Sequence, residues 1–127
     1  MEINGTCEGC QSYNTGYEYC QSCQAKIFQE KFPEWSSGNN DIDEIIRSSQ
    51  LNAKKEYEAM KWIPFSNFNN YKKICQGNFG VLYRAETLEG RFLRWNIKTK
   101  VAERNNELRV VLKSRLTLQD LLSEVCL

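Results

Sequence analysis

Along the chain, apolar residues first take up a helical rhythm at Phe28, Phe32 and Trp35, within QAKIFQEKFPEW, until Pro33 disturbs it. The spacing predicts a short helix from about Cys20 to Phe32. SSGNN has the composition of a loop. A stronger helical pattern follows in DIDEIIRSSQLNAKKEYEAMKW, where Ile42, Ile45, Ile46, Ala53, Tyr57 and Met60 share a face. Asn40 or Asp41 can cap its start, Asp41 with Glu44 fits the capping pattern, and Pro64 is the expected stop. From Tyr71 the texture becomes that of strands. YKKICQ and VLYRAET are predicted to pair across the turn Gly77-Asn78-Phe79-Gly80. A long polar excursion follows, with a strand expected near Phe92–Ile97, and LRVVLKSR reads as a further β-branched strand. TLQDLLSEV returns to helical spacing, with Thr117 as cap and Leu118, Leu121, Leu122 and Val125 as its stripe. The expected class is α+β: an N-terminal cysteine element over 1–36, a linking helix within 37–64, then antiparallel strands plus a helix over 65–127.

With 127 residues, 41% apolar and 26% charged, the chain has room for one modest domain or a small module with part of a larger one. No apolar run approaches the length of a bilayer span, and MEINGTCEGC lacks the basic-then-apolar order of a secretory signal. A cytoplasmic or nuclear setting is expected, where cysteines are reduced or metal-bound. Charge is uneven: acidic residues lead in residues 1–70, while Lys and Arg lead in 71–127. The back half could attract phosphates. The first 35 residues hold only Lys26 and Lys31 as basic groups, so nucleic-acid binding by the cysteine element is not expected.

Cys7 and Cys10 form one CxxC pair, and Cys20 and Cys23 a second. Two such turns can point four thiolates at one ion, completing a tetrahedral site. Soft sulfur donors in a chain without histidine favour zinc. Four thiolates close the coordination shell, which predicts a structural rather than catalytic metal in a treble-clef-like or ribbon-like element. Gly9 and Gly16 are expected to supply its turns. Binding free energies of about 10–16 kcal/mol for such sites imply that this element depends on its metal.

ICQGNFGVLYRA resembles the protein-kinase glycine-rich loop, VVLK resembles the third-strand V-A-I-K, and Glu124 lies where the partner glutamate on the next helix would fall. The resemblance assigns Gly77, Phe79 and Gly80 to the phosphate-covering loop. It assigns Leu82 and Val111 to the adenine slot, Lys113 to the α- and β-phosphates, and Glu124 to the ionic partner of Lys113. The chain as a whole resembles a group of kinase-like proteins abundant in arbuscular mycorrhizal fungi. That resemblance is carried by the paired CxxC, by FPEWSSGNNDIDEIIRSSQLNA and by WIPFSNF. It implies a partial kinase N-lobe over residues 65–127, with ATP and Mg²⁺ as ligands.

Departures from the kinase pattern bear on mechanism. Cys75 replaces the first loop glycine, and Leu82 and Val111 are larger than the usual valine and alanine. Neither H-R-D-x-x-x-x-N nor D-F-G occurs, so the chain by itself has no catalytic base or metal-holding acid and is expected to lack kinase activity. Its expected partner is then the missing kinase lobe. The competing expectation is a zinc-dependent protein-interaction module without nucleotide binding, presenting the apolar face of the 41–61 helix to another protein.

Overall fold

The computed structural model describes residues 2–77 and 80–114, with Glu2, Lys113 and Ser114 described by their backbone alone. Helix α1 spans Gln21–Lys31 and buries Gln24, Ile27 and Phe28, one stripe at spacings of three and one. Pro33 cannot donate a helical hydrogen bond, and the chain leaves α1 through a single 3-10 turn at Phe32–Glu34.

Helix α2 spans Asn40–Asn52, nine residues shorter at its end than the expected stop near Lys61. Its cap is Asn39, not Asn40 or Asp41: the Asn39 side chain accepts from the backbone N–H groups of Asp41 and Ile42 at 2.9 and 3.1 Å. The helix stops at Asn52 because the polar residues at its end offer the backbone other partners. Asn52 donates to the Ser48 carbonyl, Ala53 turns extended, and the Glu58 carboxylate accepts from the N–H groups of Lys54 and Lys55. The returning chain is fastened to α2, since Gln50 Nε2 donates to the Met60 carbonyl and the Met60 N–H donates to Ser49 Oγ. Tyr57 and Met60 therefore lie outside the helix.

The buried face of α2 also differs from the apolar one. Asp43, Ile46, Gln50 and Ala53 are buried, whereas Ile42 and Ile45 are 44% and 59% exposed. Asp43 earns its place through hydrogen bonds from Ser36 Oγ, Ser37 Oγ and the Ser37 N–H, at 2.5 to 2.8 Å, which hold its carboxyl below the usual range.

Strands β1 (Phe68–Gly77), β2 (Gly80–Thr87) and β5 (Arg109–Ser114) form an antiparallel sheet in the order β1-β2-β5. Alternation along β2 buries Val81, Tyr83 and Ala85. Between β2 and β5 the chain builds a second, two-stranded antiparallel sheet from β3 (Phe92–Trp95) and β4 (Ala102–Arg104). The strand expected over Phe92–Ile97 is two residues longer than β3, and the sequence pattern held no sign of β4.

The described chain divides into two compact units. One joins residues 2–62 with 92–105; the other joins 63–77 and 80–91 with 106–114. The hairpin inserted between β2 and β5 therefore belongs with the cysteines and the two helices. Its Trp95 forms a core with Ile27 and Phe28, flanked by Phe32, Ala59, Phe92 and Ala102. The rings of Phe28, Phe92 and Trp95 meet tilted or edge-on, with centroids 5.2 to 5.7 Å apart. The buried Gln24 side chain completes the join. Its Nε2 donates to the Trp95 carbonyl at 2.9 Å, and its Oε1 accepts from the Trp95 N–H at 2.8 Å.

Replacing Gln24 with Leu strands both backbone groups of Trp95 away from water, at about 1–3 kcal/mol each. Urea unfolding of the metal-loaded chain should show a loss of about 2–4 kcal/mol for Gln24→Leu. A loss within error of zero would mean that the amide does not fasten the hairpin.

Candidate metal centre

Two short turns bring the cysteines together. In the first, the Cys7 N–H donates to the Ser12 carbonyl, the Gln11 N–H to the Cys7 carbonyl, and the Gly9 N–H to Cys7 Sγ at 3.3 Å. In the second, the N–H groups of Thr15 and Gly16 donate to the Tyr19 carbonyl, and Tyr19 is fully buried beside Cys20. Cys20 is the N-cap residue of α1 and Cys23 lies in its first turn.

The four Sγ atoms of Cys7, Cys10, Cys20 and Cys23 lie within 4.8 Å of one another. Cys7 to Cys23 and Cys10 to Cys20 are each 3.7 Å. A disulfide requires about 2.05 Å, and none joins these cysteines. A tetrahedral ion with metal–sulfur bonds of about 2.3 Å has edges of about 3.8 Å, close to the two separations of 3.7 Å. The side chains fit a tetrahedral, thiophilic cation.

Electrostatics within the cluster point the same way. Hydrogen bonds from the backbone and hydroxyl of Ser12, followed by those with Cys20 and Cys23, draw the Cys10 thiol down to about 6. Burial, followed by the bonds with Cys10 and Cys7, pushes Cys23 up to about 12. The two shifts run in opposite directions within one cluster. A divalent cation is what allows all four to be thiolates together.

The inserted hairpin closes over this centre. A Cβ on Gly9 would fall 2.8 Å from Ile97 Cγ2 and 3.4 Å from Cys23 Sγ. One on Gly16 would fall 2.9 Å from the Lys54 carbonyl oxygen. Gly9 lies in the turn over residues 8–10, and close approach is a further reason for both glycines; the left-handed non-glycine positions of the loop are Gln11 and Glu18, with φ of 62° and 48°. The Arg94 side chain, 13% exposed, makes ion pairs with Glu103, Glu56 and Glu18 at 3.1, 3.3 and 3.4 Å. Those carboxylates come from β4, from the 3-10 turn Glu56–Glu58 and from the second cysteine turn. Neither Arg94 nor Gln24 stood out in the sequence; Gln24 is marked only by following Cys23 directly.

On the three-stranded sheet, Gly77 pairs with Gly80 at the turn, and Gly80 has φ +113°, open to glycine but not to ordinary side chains. Leu82 stands opposite Lys113 in the β2–β5 register. Val111 stands opposite Arg84 and is 63% exposed. Phe79, Glu124 and the helix expected from Thr117 lie outside the described residues, as does the pairing of Lys113 with Glu124. Among the described residues, no helix is long and apolar enough to cross a membrane. Comparison with family models, curated proteins and solved structures found no match.

Gly9→Ala should destabilise the metal-loaded chain by about 1–3 kcal/mol through overpacking against Ile97. Adding Ile97→Ala should recover part of that loss, so a double-mutant cycle by thermal unfolding gives a coupling energy above about 0.5 kcal/mol. Strict additivity would remove the hairpin as the reason for this glycine.

Proposed function

We propose that the chain is a zinc-stapled scaffold carrying a kinase-type nucleotide-binding hairpin. The observation that carries the zinc half is the set of four sulfur atoms within 4.8 Å of one another, two pairs of them at 3.7 Å. Cys7, Cys10, Cys20 and Cys23 would hold Zn²⁺, because an all-thiolate set at tetrahedral spacing selects a soft, tetrahedral ion. Bound there, the ion supplies charge compensation and cross-linking. With four protein ligands it keeps no position for a substrate, so its role is structural.

The kinase half rests on sequence resemblance, and the sheet supports it. A protein-kinase glycine loop needs three antiparallel strands with the loop between the first two and the phosphate lysine on the third. Here β1, β2 and β5 run antiparallel in that order, the Gly77–Gly80 turn joins the first two, and Lys113 lies opposite Leu82. In this reading Gly77, Phe79, Gly80, Leu82, Val111 and Lys113 bind MgATP, and Glu124 steadies Lys113. The 127 residues contain no H-R-D and no D-F-G motif, so the reading assigns them nucleotide binding and not phosphoryl transfer.

A second reading, a zinc-dependent protein-interaction module without nucleotide binding, is favoured by the exposure of Ile42 and Ile45 on α2. One set of measurements separates the two. The purified chain should contain one zinc per molecule, and Cys20→Ser should lower that content and the melting temperature together. MgATP should raise the melting temperature of the wild-type chain and not that of Lys113→Ala. Metal content far below one per chain overturns the zinc site. If MgATP has no effect on the zinc-loaded chain, the interaction reading stands instead.

A further inference from the structure

A second cleft, of about 380 Å³, opens beside the inserted hairpin within the cysteine-bearing unit. That volume falls in the range of about 300–1,000 Å³ typical of small-ligand sites. All three tryptophans of the chain, Trp35, Trp62 and Trp95, line it. Its charged lining is Lys31, Lys61, Lys100 and Arg104 against Glu34 alone. Flat apolar walls with an excess of positive charge select a flat ring attached to an anion.

Two residues of the lining are nearly fully buried and held in place: Gln50 Nε2 donates to the Met60 carbonyl, and both backbone groups of Trp95 are satisfied by Gln24. The cations already have local partners. Lys31 meets Glu34 at 3.7 Å, Lys100 meets Glu30 at 2.9 Å, and Lys61 lies over the rings of Phe92 and Trp95 at 4.1 and 4.9 Å. The two ion pairs are solvent-exposed and of the kind that contributes little, so an incoming anion can share these cations at small cost.

We propose that this cleft binds a mononucleotide-class ligand, with the base against its tryptophan-lined wall and its phosphate among Lys61, Lys100 and Arg104. A purine monophosphate supplies both the flat ring and the anion. The site is separate from the glycine hairpin and does not depend on the kinase reading.

The test titrates AMP into the full zinc-loaded chain in a Lys113→Ala background, which removes the lysine of any nucleotide site on the sheet. Tryptophan fluorescence and nitrogen–proton correlation spectra of the indole groups, assigned by Trp→Phe substitution, report on the cleft directly. The expected result is saturable quenching with a shift of the Trp95 indole resonance. Lys61→Glu and Arg104→Glu should each weaken binding about tenfold or more, the loss of one charge-assisted contact. Arg104 is exposed, so its substitution keeps the test clear of the aromatic core that Lys61 touches. Adenosine and inorganic phosphate should each bind more weakly than AMP. The proposal is overturned if millimolar AMP leaves all three indole resonances in place. It is equally overturned if phosphate alone reproduces the shift, or if Arg104→Glu binds AMP as before.

Discussion

One glutamine amide, bonded at both ends to the backbone of Trp95, joins parts of the chain that are 71 residues apart. It occupies the position a neighbouring strand would take, giving β3 a donor and an acceptor from the side of a helix. With that bond in place Trp95 can pack on Phe28, Ile97 can cover Gly9, and Arg94 can gather its three carboxylates. Each of these needs the hairpin at one height above α1. The bond is also unforgiving, because every group in it is buried and has no water to fall back on.

The cysteine centre and this hairpin support each other physically. The turn holding Cys7 and Cys10 has few side chains able to bury anything, so its own packing is slight. Ile97 provides the apolar cover it lacks, and Gly9 is small because that cover sits so close. Arg94 ties the second cysteine turn to β4 through Glu18 and Glu103. Breaking one member of this group would leave a buried guanidinium under-compensated, which is why its destabilising effect should exceed that of an exposed ion pair.

Several features were legible in the sequence because they depend on local pattern. The CxxC spacing gave the four sulfur ligands; strand alternation and the glycine turn gave β1, β2 and β5 with their antiparallel order. The end of α2 was not legible, because Ile42, Ile45, Tyr57 and Met60 extend an apolar stripe that the fold does not bury. The face it does bury includes Asp43 and Gln50, whose cost is offset by hydrogen bonds to a loop and to a returning strand of chain. Hydropathy cannot register such bonds. β4 was missed for a similar reason: AER has no strand alternation of its own and is defined by its pairing with β3. Gln24 and Arg94 read as ordinary polar residues until their distant partners are known.

The discontinuity of the first unit bears on how the chain is made. All four cysteines have been synthesised by residue 23, whereas the Ile97 side chain that covers Gly9 comes with the hairpin that ends at Arg104. At a translation speed of about 5–20 residues per second, that gap of roughly 80 residues lasts on the order of 4–16 s. For that interval the nascent thiols stand uncovered. A cation captured then would hold the two turns in register ahead of their lid, and without one the same sulfurs would be open to oxidation before any packing could shield them.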